Sequence, residues 1–242
     1  MSQPTTTSPL TVVLVHGAFA DSSSWNGVTE RLLAKGVQVT AAANPLRGIS
    51  HDSAYVASVF GQIPGPVLAV AHSYGGAVIT NAATGAQNVV GLVYVAAFAP
   101  DEGEVLGAVE AGSKDSVLNS ALVPHQYPTD SGTATEFTID PAKARDAFAS
   151  DVSDLDAAFI AVNQRPVSEV AFGEPSGPPA WKRLPSWAVV ATGDKAAGTD
   201  VVRSHAERAG AQITEVEGSH VIMISQPDAV VAVIEAAIAA VS

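Results

Sequence analysis

Ser73 has the clearest chemical potential in the chain, because Val70-Ala71-His72-Ser73-Tyr74-Gly75-Gly76 follows the apolar run Pro66-Val67-Leu68-Ala69-Val70 and precedes a helical stretch. A strand that breaks into a helix through x-Ser-x-Gly-Gly makes a sharp turn, which exposes the hydroxyl at the carboxyl end of a sheet. Ala71 stands where such elbows usually carry their first glycine; a close approach of backbones there demands only a small residue. A serine hydroxyl is a poor nucleophile at neutral pH. An imidazole must take its proton, and a carboxylate must orient that imidazole and stabilise its cation. Two later strand ends offer these groups: Trp187-Ala188-Val189-Val190-Ala191-Thr192-Gly193-Asp194, and Gln212-Ile213-Thr214-Glu215-Val216-Glu217-Gly218-Ser219-His220.

Acyl transfer also needs donors for an oxyanion. The first strand ends in Val15-His16-Gly17-Ala18-Phe19, a small-residue turn at the same sheet edge, so the amides of Ala18 and Tyr74 are the expected pair. The helix beginning near Tyr74 adds its positive end to the same spot. Loss of one such donor typically costs about 2.7 to 4 kcal/mol of barrier, so this turn matters as much as the nucleophile. Other candidates have structural roles: Asp200 as a helix cap, Glu215 and Glu217 on a strand aimed elsewhere, His72 packed beside the elbow, and His16 as a buried strand-end histidine.

Positioning these residues requires alternating strands and helices, and the pattern supplies them. Short β-branched runs at 11–15, 37–42, 67–70, 89–96, 187–191 and 212–216 read as buried strands. Amphipathic stretches at 24–36, 53–60, 75–84, 200–209 and 229–241 separate them, with Ser23 or Ser24 as the first cap. The expectation is an α/β protein: one domain with a doubly wound, mostly parallel sheet of about six strands. Its core spans 10–99 and 186–242. Residues 100–185 are polar and proline-bearing, with helical candidates at 141–150 and 153–162, and read as an inserted helical cap over the carboxyl ends of the strands. Phe19, Phe98, His125, Phe159, Trp181 and Val221 are the expected substrate contacts.

Composition narrows the function further. Hydrophobic residues make up 47% of the 242 positions, enough for a large core. A formal net charge of −12 argues against nucleic acid or an anionic membrane surface as partner. The chain contains no cysteine, which excludes disulfides and thiol chemistry, and its six histidines lack ligand-like spacing, so no metal site is expected. The N-terminal Met1-Ser2-Gln3-Pro4 segment and its continuation to Pro9 lack a basic, then apolar, signal pattern and read as a short disordered tail. No window suggests a membrane span, so a cytoplasmic protein is expected.

The chain order Ser, Asp, His, together with Leu14-Val15-His16-Gly17-Ala18-Phe19, Ala71-His72-Ser73-Tyr74-Gly75-Gly76, Val93-Tyr94-Val95-Ala96-Ala97-Phe98-Ala99-Pro100 and Gly218-Ser219-His220, resembles the α/β-hydrolase superfamily. Within it the chain is similar to the small plant-esterase and hydroxynitrile-lyase-like branch and its bacterial carboxylesterase relatives. The resemblance implies Ser73, Asp194 and His220 as a catalytic triad, with Asp101 as the alternative place for the acid. No antiparallel strand pair precedes Thr11, so the sheet is shorter than the family's usual eight strands. Lyases of this branch carry a threonine after the strand-end histidine and a lysine after the catalytic one; Gly17 and Val221 stand there instead. Ser73 likewise departs from the aspartate nucleophile of epoxide hydrolases and dehalogenases. The reading is therefore a carboxylesterase for a small, largely apolar ester, needing no cofactor. The alternatives are a cofactor-free lyase or oxygenase and a slow-turnover ligand receptor.

Overall fold

The computed structural model describes residues 8–242, so all but the end of the expected N-terminal tail lies outside the described residues. The first half alternates strand and helix: β1 (Thr11–Val15), α1 (Asn26–Ala34), β2 (Gln38–Ala42), α2 (Ile49–Gly61), β3 (Val67–His72), α3 (Tyr74–Ala82) and β4 (Val89–Val95). Between β4 and the next core strand lie α4 (Leu106–Ala111), β5 (Leu122–Thr129), β6 (Gly132–Ile139), α5 (Pro141–Phe148), α6 (Asp154–Val162), β7 (Val167–Ser168) and α7 (Glu169–Gly173). The core resumes with β8 (Ser186–Ala191), α8 (Thr199–Arg208), β9 (Gln212–Val216), α9 (Ile222–Ser225) and α10 (Pro227–Val241).

The main sheet has six strands in the order β2-β1-β3-β4-β8-β9, all pairing in parallel. Successive side chains on a strand point to opposite faces, so a sheet covered on both sides needs apolar residues at every position. In β1, Val13 and Val15 join the core on one face while Val12 and Leu14 join that on the other. In β3, Val67, Ala69 and Ala71 alternate in the same way with Leu68 and Val70. Each fully buried aliphatic side chain contributes about 1.5 to 3 kcal/mol, so a charge at any of these positions would oppose folding.

Strand order reverses between β1 and β3, because the chain runs outward to β2 and then crosses back. Connections diverge from such a switch point to opposite faces, leaving a crevice at the carboxyl ends of the strands. The turn after β1 and the elbow after β3 therefore lie side by side.

The cap contains the two expected helices, as α5 and α6, and also a three-stranded antiparallel sheet, β5-β6-β7. Sequence periodicity did not anticipate that sheet. β5 is an edge strand, which tolerates Pro124 and Pro128, and most of it is solvent-exposed, so it lacks the apolar signature of the core strands. Thr129 pairs with Gly132 across Asp130-Ser131, a two-residue hairpin turn. Among the described residues no helix is long and apolar enough to cross a membrane.

Candidate active site

Ser73 occupies the turn between β3 and α3 with φ 53° and ψ −126°, a conformation rare for any residue other than glycine. Such strain persists only where the surroundings over-determine it. Here Gly75 allows the close approach: a Cβ on it would lie 2.8 Å from the carbonyl oxygens of Val15 and His16. Gly17 faces the same constraint, since its Cβ would stand 2.7 Å from Ser73 Cβ and 2.9 Å from His72 Nδ1. The elbow and the β1 turn are thus pressed together over two positions that have no room for side chains.

His220 follows β9 and is buried. Its Nδ1–H donates to Asp194 Oδ2 at 2.8 Å, and the carboxylate's other oxygen accepts the amides of Ala196 at 2.9 Å and Ala197 at 3.0 Å. A buried carboxylate with both oxygens engaged in this way sets the tautomer, leaving Nε2 as the lone-pair nitrogen. Asp101, the other candidate acid, is held by Lys182 Nζ at 2.6 Å, and this partner keeps its carboxyl below the usual range. The imidazole's acid partner is Asp194.

Ser73 and His220 line one cavity of about 260 Å³, with Ala18 and Phe98 in its walls. Among the described residues no hydrogen bond joins Ser73 Oγ to the imidazole. In unliganded sites that contact is often long and tightens only when substrate binds. Tyr74 opens α3, where helix geometry leaves the first amides without carbonyl partners, so its N–H is available at the elbow. Its phenol points elsewhere, donating to the buried Asp52 Oδ2 at 2.8 Å.

The neighbouring histidines are structural, as their sequence context suggested. His16 Nε2 accepts the Asn44 amide at 3.0 Å while Nδ1–H donates to Gly17 O at 2.9 Å, and burial lowers its pKa to about 4. That neutral ring fastens the turn bearing Ala18. His72 Nε2–H donates to the carbonyl of His220 at 2.9 Å, and burial holds its pKa well below the ordinary value.

Of the expected substrate contacts, Phe19 and Phe98 line the Ser73 cavity, and Phe19, Phe159 and Val221 line an adjoining cavity. His125 and Trp181 line neither. His125 is exposed on β5 and bonds Thr138 Oγ1 at 2.9 Å, while Trp181 donates its indole N–H to Pro100 O at 3.1 Å. Both corrections have one cause, that a residue's type does not fix its direction. Alternation along the hairpin turns His125 to solvent, and the indole is spent on anchoring the start of the cap.

Asp151 was not anticipated. It lies just beyond α5 and accepts the Ser219 amide at 2.8 Å as well as the Ser219 hydroxyl, so a cap carboxylate braces the residue before His220. Local sequence carries no signal for a contact across 68 positions. Asp200 lies in the first turn of α8, but its carboxylate accepts Ser113 Oγ and the Lys114 amide, tying the helix to the cap.

A family model described as the alpha/beta hydrolase family matches residues 12–233. No curated protein matches the chain. Among solved structures, polyneuridine aldehyde esterase is similar over 95% of this chain and 100% of that one, at 21% identity and a TM-score of 0.78. The methylesterase MES16 from Arabidopsis is similar over 95% and 99% of the two chains, at 20% identity and a TM-score of 0.78. A pyrethroid hydrolase from Sphingobium faniae JZ-2 is similar over 96% and 98%, at 19% identity and a TM-score of 0.77. With strand order, elbow and family model in agreement, the chain belongs to the alpha/beta hydrolase family.

Proposed function

We propose that the protein is a serine carboxylesterase acting on a small, largely apolar ester, within one hydrolase domain whose cap spans about residues 100–185. Ser73 Oγ attacks the ester carbonyl and passes its proton to His220 Nε2 as the new C–O bond forms. The amides of Ala18 and Tyr74 hold the oxyanion, and Asp194 stabilises the imidazolium. Collapse breaks the bond to the alkoxy oxygen, which takes the proton from His220. Water, deprotonated by the same imidazole, then releases the acid and regenerates Ser73.

The observation that carries this reading is the buried Asp194–His220 bond beside the same cavity as a serine on a strained elbow. Esterase and hydrolase activities named for the structural neighbours support it. So does the lack of room at Gly17: the threonine of the lyase arrangement would place a Cβ 2.7 Å from that of Ser73. The reading invokes no cofactor, nucleic acid or membrane partner, and a cytoplasmic location belongs to it.

A fluorophosphonate probe and a panel of chromogenic short-chain esters test the proposal together. The expected result is labelling and turnover in the natural protein, and neither in Ser73→Ala. Turnover retained by Ser73→Ala would remove the serine from the mechanism; labelling without turnover would favour a receptor or a cofactor-free lyase or oxygenase.

A further inference from the structure

A second cavity, of about 330 Å³, adjoins the one over Ser73, and Phe19 and Phe148 belong to the walls of both. Their rings meet edge to face at 6.3 Å, a favoured aromatic geometry. The Phe148 ring also lies 4.9 Å from that of His220. Val221, next in chain to His220, lines the second cavity with Met223 and Ile224, whereas His220 itself lines the first with Ser73, Ala18 and Phe98.

Resting on the serine-esterase reading, we propose that the second cavity is the leaving-group subsite and that Phe148 is the partition that sets how bulky an alcohol half the enzyme accepts. The geometry of acyl transfer supplies the reason. The carbonyl carbon must sit at Ser73 with its oxygen at Ala18, so the acyl half occupies the first cavity. The alkoxy oxygen must face His220 to receive the proton as its bond to carbon breaks. His220 faces the first cavity, so the alcohol half leaves past its ring toward Phe148, 4.9 Å away, beyond which Val221 and the second cavity lie. Leu106, Leu118, Phe137 and Phe172 give the acyl half apolar surface; Glu169 also lines this cavity, as do Asn119 and Glu110, the latter accepting from Ser116 and Asn119.

The lining of the second cavity limits the class of alcohol. Phe159 and Ile160 offer apolar surface, Asn26 and Asn163 offer amides, and Asp21 and Asp156 bring two carboxylates, with no lysine or arginine among the lining residues. A hydrogen bond from Ser23 holds Asp21 below the ordinary carboxylate range although burial opposes it, so it is charged at neutral pH. An anionic alcohol half would meet like charge without a counter-ion. Within the small, largely apolar esters, the substrate class is thus one that joins a compact acid to a larger alcohol half without negative charge.

The test uses butyrate esters of methanol, 2-naphthylmethanol, choline and 4-(hydroxymethyl)benzoate, plus methyl esters of increasing acyl length. In the natural protein kcat/KM for the benzoate-bearing ester falls below that for the naphthylmethyl ester. Phe148→Ala raises the ratio of naphthylmethyl to methyl butyrate by about tenfold, a pocket-sized discrimination. Asp156→Lys, at an exposed position in the first turn of α6 whose carboxylate accepts from Ser153 Oγ, raises the ratio of the benzoate-bearing ester to the naphthylmethyl ester, as does the milder Asp156→Asn to a smaller degree. Unchanged ratios in these variants would overturn the assignment, as would a Phe148→Ala effect confined to the acyl series. Ser73→Ala and fluorophosphonate labelling run alongside: loss of the serine reading shows there, whereas a serine-dependent enzyme with unchanged ratios loses only the subsite.

Discussion

Around Ser73 every candidate reacting group follows the carboxyl end of a strand of the parallel sheet, whereas the cap reaches the same cavity from short helices and a half-exposed hairpin. β1, β3, β8 and β9 are locked in parallel register, so the turns after them inherit fixed positions from the sheet. The cap contributes Phe137, Phe148 and Phe172, side chains whose contacts depend on long-range packing. Proton transfer needs sub-ångström placement, which a sheet supplies, while substrate choice needs surfaces that can change without disturbing it. Asp151 crosses this division, because it ties the cap to the residue preceding His220.

The sharpest way to break the comparison is at the strand ends. Asp194→Asn should lower kcat by about 10⁴, since the amide no longer holds the imidazole in the required tautomer. Asp101→Asn, which severs only the pair with Lys182, should leave kcat near that of the parent; the reverse ranking in a steady-state assay would move the acid. Gly17→Ala should reduce kcat by roughly 10² to 10³, because its Cβ meets Ser73 Cβ at 2.7 Å and must displace the turn carrying an oxyanion donor. Full activity in this variant would show that the turn does not hold the oxyanion.

Acid titration probes the same region through stability. The His16 pKa is about 4 in the folded protein against an ordinary value of 6.5, so the unfolded chain binds the extra proton first as pH falls. Its contribution is fully present above pH 6.5 and is lost progressively down to about pH 4, amounting to about 3 kcal/mol over the window. Burial depresses His205 in the same direction, and His205 Nδ1 accepts the Ala99 amide, a bond that protonation removes. Denaturant unfolding across this range should therefore show falling stability, with His16→Gln flattening the curve. A flat profile in the parent would contradict the burial of these rings.

Smaller effects sharpen the boundary between core and cap. Asp151→Ala should lower kcat by about tenfold with little change in KM, as expected of a residue that acts through His220 and does not bind substrate. Asp151→Asn, which keeps one acceptor for the Ser219 amide, should recover part of that loss. A pure KM effect would return Asp151 to the binding surface. At the far end, His125→Ala should change kcat/KM by less than about twofold and stability by less than about 0.5 kcal/mol, as for an ordinary surface position. A large effect would mean that the hairpin folds over the cavity.

Legibility in the sequence follows the same division. The strands near Val67 and Trp187 could be placed closely, because burial on both faces imposes continuous apolar runs, whereas the edge strand from Gln212, mostly exposed, was marked only by its β-branched residues. The turns after them could be read because small residues must stand where backbones touch. The cap hairpin could not: β5 is polar, exposed and carries prolines, and its pairing with β6 and β7 becomes evident only once the chain is folded. His125 and Trp181 were expected at substrate because their types suit binding, yet type does not reveal direction. Asp151 shows the converse, an ordinary surface residue in sequence that folding turns into a brace.

The order of residues by itself determined the alternation of strand and helix, the family, and the strand ends that bear Ser73, Asp194 and His220. The alternation and the strand ends rest on periodicity and on steric demands within a few neighbouring residues, and the family on the resemblance of several short motifs in one chain order. Only the tertiary structure decided that Asp194 rather than Asp101 meets the imidazole, and that Phe148 stands between two cavities. Those facts are distances between segments far apart in the chain, set by how the sheet and cap pack together, and no local pattern of side chains encodes them.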